Sequence, residues 1–490
     1  MKEKIKKIVC NKNLYIFSAI VLIFFGMLNK LEFAVDSYAT FTFSMREFLN
    51  HFATTGRFFL MVTGGILKIL KLKPETSYFI SFIVAIACMI ISMYKLYTMI
   101  EKDIKSQGIK RLVPILVILN AFSVELFLFI EKGIMVFSVM MGIFAVGEIK
   151  KWMEEKKNRY LISTFIFMLL ANFSYQGVVG IFITLAVVYI LKYSKNIKQF
   201  IINNIVVALS YGIPAILDYV LIKVICKSSR VSGNIIFSES IKKVCSNTLG
   251  MIKSTYGILP KYFLMSLVII LIGIIAYQII IKKTTTKTKV IDILKVIYIC
   301  AGTIIGAVAP QLVQNTSSIW FVARSTYSYA ALYGVLVLYL FMNFDVKTII
   351  KYIIMVMSII LLIVQFNRFN VIITDRYKVN ALDYEVTRNV IEKIDDYEKD
   401  SGNKITKIGI YNDKSIGYTY NGIFATGDTN LKAYYIDWCI RVIIKYYSGR
   451  DLTIVETNPE VEKEFEEKDW NSFDSNQLKF DGDTLDLCRY

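Results

Sequence analysis

"LYIFSAIVLIFFGML", residues 14–28, decides what kind of protein this is. The stretch carries no charge, and runs like it recur through the first three quarters of the chain. A helix needs about 20 mostly apolar residues to cross a hydrocarbon core roughly 30 Å thick. A signal peptide has a similar apolar run, but no small-residue cleavage pattern follows here. The run therefore reads as an uncleaved first span.

Working outward, the apolar runs predict about eleven spans: 14–28, 78–94, 112–130, 134–149, 160–173, 177–191, 200–225, 262–281, 290–309, 326–342 and 349–366. The run 58–70 is shorter, contains Gly64 and Gly65, and reads as a helix lying in the interface. The fold class is a polytopic α-helical membrane protein. "MKEKIKKIVCNK" at the start is rich in lysine and should stay cytoplasmic. Most short basic loops then fall on that same side, which puts the segment after the last span outside. The long loop 226–260 is also basic and is expected outside, because longer loops obey the charge rule less strictly.

Composition agrees. The chain has 490 residues, 55% of them hydrophobic, and a formal charge of +18. Its mean hydropathy is +0.51. The charge is uneven: residues 367–490 hold 17 Lys and Arg against 23 Asp and Glu, a net of −6, so the rest carries +24. The basic excess belongs to the membrane part, where it sets orientation and meets anionic lipid. Nucleic acid is not an expected partner. Residues 1–366 read as a transmembrane domain and 367–490 as a small extracytoplasmic α/β domain. In that tail, "DYEVTRNVIEKI" has helical spacing, "KITKIGIYN" and "DLTIVET" alternate like strands, and "YYIDWCIRVIIKYYSG" reads as a helix ended by glycine.

Seven cysteines include no CxxC pair, and one histidine leaves no His-based zinc site. Cys226 with Cys245, and Cys439 with Cys488, are the two pairings the spacing admits. No metal or cofactor is expected; a divalent ion beside Asp36 would lack a second secure ligand.

The chemistry-bearing candidates cluster around the first loop. An acid beside a bilayer is solvated, paired or functional, because desolvating it is costly. Asp36 stands a few residues past the first span. It is either a solvated loop acid near the helix that "SMREFLNHF" suggests, or part of a site. Its company favours a site. Arg57 follows Gly56 at the start of the run 58–70, Arg324 lies in "WFVARSTYSY", and Tyr175-Gln176 form a polar tip between two spans. One carboxylate with separated guanidiniums suits a lipid-borne phosphate and a hydroxyl to be activated. Glu32, Ser37, His51 and Tyr327 are further candidates for substrate contact. Glu125 and Asp218 lie inside spans and read as structural, Glu125 helped by Lys132 and Asp218 paired with Lys223.

"VDSY…TTGRFFLMVTGGILKIL", "NFSYQGVVGIFITLAVVYIL" and the ending "LKFDGDTLDLCRY" carry a resemblance. In this order they resemble the bacterial membrane glucosyltransferase family named Gtr, type II, of the GT-C class. That family has an acidic motif after its first span, usually two adjacent aspartates, and a Gly-Arg about twenty residues later. Here the second acid is Ser37. The resemblance implies a GT-C-like fold and transfer of a sugar, glucose by the family name, from a polyprenyl-phosphate carrier to a cell-envelope glycan on the outer face. It implies Asp36 as general base, with Arg57 and Arg324 on the donor phosphate. A lipid-sugar synthase and a flippase are the partners such a donor calls for. A lipid-linked glycan flippase or a surface-polysaccharide polymerase remains the alternative: both are polytopic, but a flippase calls for a polar path through the spans, and a polymerase for a late catalytic loop.

Overall fold

The computed structural model describes residues 11–227, 237–282, 284–312, 319–424 and 428–490. Cys10 and nine residues before it, Arg230 in the long loop, and residues 313–318 lie outside the described residues. The chain separates into two compact units. The first comprises Met1–Asn29, Phe48–Phe127 and Glu131–Phe369; the second comprises Lys30–Glu47, Leu128–Ile130 and Asn370–Tyr490.

The first unit is a helical bundle. Eight helices among the described residues are long and apolar enough to cross a membrane by length and composition: Lys12–Asn29, Pro74–Ile100, Lys132–Glu155, Gln176–Tyr193, Ile197–Val224, Phe263–Ile281, Thr286–Gln311 and Thr348–Ser401. Each coincides with an expected span, and together they are the build of a membrane protein. Two further expected spans form shorter apolar helices, Arg159–Ser174 and Tyr327–Asn343, and Phe58–Ile69 is shorter still. Pro74 starts its helix at the first turn, where its missing N–H costs nothing. The Pro74–Ile100 helix packs along Lys132–Glu155, which packs in turn on Arg159–Ser174. Gly180 and Gly306 bring two helices into backbone contact: a Cβ on Gly180 would stand 1.9 Å from Gly306 O. Small residues at helix crossings are how apolar bundles pack without a hydrophobic driving force.

The expected span 112–130 is not one helix. Gln107–Ile118 ends at Leu119, and a short helix, Ser123–Phe127, follows. Asn120 holds the break: its Oδ1 accepts from the Phe122 N–H at 2.9 Å and its amide donates to Val117 O at 3.0 Å. The carbonyls freed at the helix end are taken up from afar, Leu119 O by Gln365 at 2.6 Å and Ile118 O by the Tyr327 hydroxyl. A break among apolar helices persists only when its backbone groups find partners in protein. Within the long loop, Phe237–Ser254 is a helix.

The second unit is built on a four-stranded sheet, β1 Lys407–Asn412, β2 Thr453–Ile454, β3 Leu478–Asp481 and β4 Thr484–Arg489, in the order β2-β1-β4-β3. β1 runs parallel to both β2 and β4, and β3 closes on β4 as a hairpin. The ending "LKFDGDTLDLCRY" is thus two strands joined by a turn. The helix Asp437–Ser448 crosses from β1 to β2 and stops at Gly449. Its Ile440, Ile443 and Ile444 meet Val386, Val390 and Ile394 of the Thr348–Ser401 helix and Ile408, Leu485 and Leu487 of the sheet. Phe33, Val35, Tyr38 and Ala39 join this same core, which is why Lys30–Glu47 belongs to the second unit. Neither pairing that the spacing admits forms a disulfide. Cys226, Cys245, Cys439 and Cys488 are all free thiols, and the last two are buried in separate apolar clusters.

Candidate functional site

The site begins with a turn. The helix Met45–Thr54 ends with the Gly56 N–H on Ala53 O at 3.0 Å and the Arg57 N–H on Phe52 O at 2.9 Å. This pair of bonds closes a helix through a left-handed residue, and Gly56 sits at φ +74°. Space demands glycine as well. A Cβ there would stand 2.4 Å from Ile222 Cδ1, 2.5 Å from Gln176 Nε2 and 3.0 Å from Asp218 Oδ1. Arg57 follows at once and opens the Phe58–Ile69 helix.

Gln176 clamps this turn. Its Nε2 donates to Gly56 O at 3.1 Å and to Asp218 Oδ2 at 2.8 Å, with Thr55 O at 3.4 Å. Asp218 is 4% exposed and its partner is Gln176, not the expected Lys223, whose ammonium lies by the Tyr219 hydroxyl. Five residues apart, Asp218 and Lys223 point to different faces of the helix, and Lys223 is exposed. Arg57 lies over the Tyr175 ring, 5.0 Å from its centre, with Glu131 Oε1 at 3.9 Å from Nη1. That separation is too long for a hydrogen bond. The Arg57 side chain is 18% exposed.

Arg324 is different. Its backbone N–H donates to Glu125 Oε2 at 2.6 Å, and its guanidinium pairs with Glu125 Oε1. Both side chains are buried. Glu125 thus faces Arg324, and Lys132 lies over the Tyr78 ring. The Arg324 guanidinium is paired within the bundle, where that of Arg57 has its nearest carboxylate at 3.9 Å. Arg324 is nonetheless next to the clamp: a Cβ on Gly177 would stand 2.9 Å from Arg324 O. Tyr327 is fully buried, with its hydroxyl on Ile118 O, so it is a core residue and not a sugar platform. His51 is half-buried with its ring edge-on to Phe52.

Thus Arg57, Tyr175, Gln176 and Arg324 gather in the first unit. Glu131, which sequence reading passed over, joins them, as do Glu125 and Asp218. The signal for Glu131 was "FIEKGIM", an acid-base pair between two apolar runs, where charge is expensive.

Glu32, Asp36 and Ser37 belong to the second unit. Asp36 is exposed on the first turn of the helix Val35–Thr42. Ser37 is fully buried and Glu32 nearly so, which removes both from direct substrate contact. Glu32 Oε2 faces Arg376 Nε at 3.7 Å, both side chains 1% exposed. One helical stretch further on, Asp383 accepts from the Tyr420 hydroxyl at 2.8 Å and from the Ala433 N–H at 3.1 Å. Burial pushes its carboxyl up to about 7 despite these bonds, and burial pushes the Lys432 ammonium down to about 8.

Among the described residues, no group of three His, Cys, Asp or Glu side chains could hold a metal ion. No family model, curated protein or solved structure matches this chain.

Proposed function

We propose that this protein is a membrane glycosyltransferase that moves a sugar from a polyprenyl-phosphate carrier to a cell-envelope glycan on the extracytoplasmic face. The observation that carries the reading is the Arg57 turn. A partly exposed arginine follows a turn that half-buried Gln176 and buried Asp218 hold, among apolar helices. Ionisable groups in such surroundings are costly and mark functional sites by default. A guanidinium there suits the phosphate of a lipid whose tail lies in the bilayer.

In this reading Arg57 binds the donor phosphate and offsets the charge it gains as the bond to the sugar breaks. The acceptor hydroxyl gives its proton to a base; Asp36, the acid expected for this step, stands exposed in the second unit. The acceptor oxygen forms a bond to the anomeric carbon, the carbon–oxygen bond to phosphate breaks, and polyprenyl phosphate leaves as an anion. Phosphate needs no proton to leave, so one carboxylate suffices, unlike the paired acids of a glycosidase. A single displacement inverts the anomeric centre. Arg324 shapes the loop beside the clamp instead of binding donor.

The test compares envelope glycan composition in cells with the protein, without it, and with Arg57→Ala. The reading expects one sugar substituent to be present only with the wild-type chain. A glycan unaltered by removing the protein, or fully modified by Arg57→Ala, contradicts it.

A further inference from the structure

We infer that Asp218 is a positioning residue for lipid-phosphate binding: through Gln176 it fixes the Gly56–Arg57 turn and so aims the Arg57 guanidinium. The inference rests on the reading of Arg57 as the donor-phosphate group.

The chain of contacts is continuous. Asp218 Oδ2 takes one hydrogen from Gln176 Nε2 at 2.8 Å, and the same amide nitrogen holds Gly56 O at 3.1 Å. A side-chain amide turns freely unless something fixes its orientation. Here two acceptors do so, the Asp218 carboxyl oxygen and the Gly56 carbonyl, which both face the NH2 end of Gln176. With the amide turned over, its oxygen would face both Asp218 and the Gly56 carbonyl, three acceptors with no donor among them. The remaining Asp218 oxygen, Oδ1, has no hydrogen-bond partner and lies 3.0 Å from where a Gly56 Cβ would be. The carboxylate therefore also fills the space that the glycine leaves.

Arg57 itself needs this help. Its contacts are a ring face at 5.0 Å and a carboxylate at 3.9 Å, neither of which fixes a direction as a hydrogen bond does. What sets the origin of its side chain is the turn, and what holds the turn from outside its own helix is Gln176. A misplacement of about 1 Å in such a group costs on the order of a hundredfold in catalysis.

The experiment uses the full chain in lipid nanodiscs and a photoreactive farnesyl phosphate as probe, with competition by farnesyl phosphate and by farnesol. In the wild type, farnesyl phosphate should displace the probe and farnesol should not. Arg57→Ala should abolish that difference. Asp218→Leu and Gln176→Leu should each weaken farnesyl phosphate about tenfold, the loss expected from one well-placed network. Asp218→Asn should retain most of the affinity, because its carbonyl still accepts from Gln176. Leucine variants that bind like wild type overturn the inference, as does Asp218→Asn failing as badly as Asp218→Leu, which would mean that the charge acts directly. Should Asp218→Leu not fold, Gln176→Leu beside Asp218→Asn decides by the same criteria. Wild type that prefers the phosphate no more than the alcohol overturns the donor-phosphate reading beneath the inference instead.

Discussion

Arg57 and Arg324 carry the same charge into different surroundings, and the difference decides what each can do. Arg324 is closed on Glu125, so removing the carboxylate strands a buried cation. Glu125→Gln should destabilise the folded protein by about 3–5 kcal/mol, read as a lower unfolding temperature in detergent. A change within experimental error would mean that the pair is not buried as described. Asp383 offers a test through pH. Its folded carboxyl holds a proton up to about 7, whereas a solvated aspartate loses it near 4. Its contribution to stability is therefore greatest in acid and falls as the pH rises through that window. Lys432 works the other way, its unfavourable contribution lifting above about 8. Hydrogen-exchange protection factors in the second unit should be higher at pH 5 than at pH 7.5, and Asp383→Asn should remove the difference. Arg57, Tyr175 and Gln176 were legible in the sequence because each is a polar group at the edge of an apolar run. The Glu125–Arg324 pair was not. Its members are 199 residues apart, and only helix packing brings them together.

Elements were the most legible scale. Apolar runs of spanning length are nearly unambiguous, and eight of them became long helices. The break at Leu119–Phe122 was hidden because every residue but one is apolar, and apolar content alone does not tell a helix from a turn. Asn120 was the visible clue, a side chain able to bond its own backbone neighbours. Asn120→Leu keeps the hydropathy but strands the Phe122 N–H, and should cost about 1–3 kcal/mol in thermal unfolding. Stability equal to wild type would show that the break does not depend on it. The Thr348–Ser401 helix was read as a span followed by a separate helix. At 54 residues it extends about 81 Å, well beyond a hydrocarbon core of roughly 30 Å. No glycine or proline interrupts residues 348–401, so nothing local stops it where the apolar stretch ends. The segment Lys30–Glu47 went to the second unit for a reason invisible locally: Phe33, Val35 and Tyr38 find their apolar partners more than 300 residues later.

At the scale of the whole molecule, the account joins an apolar bundle to a small sheet unit and assigns the first the lipid donor. By the charge rule the "TTTKTK" loop is expected to face the cytoplasm. A Lys287→Cys variant should react with a membrane-impermeant maleimide only after cells are opened; reaction in intact cells would reverse the orientation. The central claim is that a sugar reaches this protein on a lipid phosphate and leaves on a glycan, with Arg57 holding the phosphate. The direct measurement is a single-turnover assay in proteoliposomes, using a radiolabelled hexosyl polyprenyl phosphate and purified envelope glycan. The account predicts that label passes to the glycan as polyprenyl phosphate is released, and that Arg57→Ala slows this about a hundredfold or more. No transfer by the wild-type chain, or transfer at the same rate by Arg57→Ala, would contradict it.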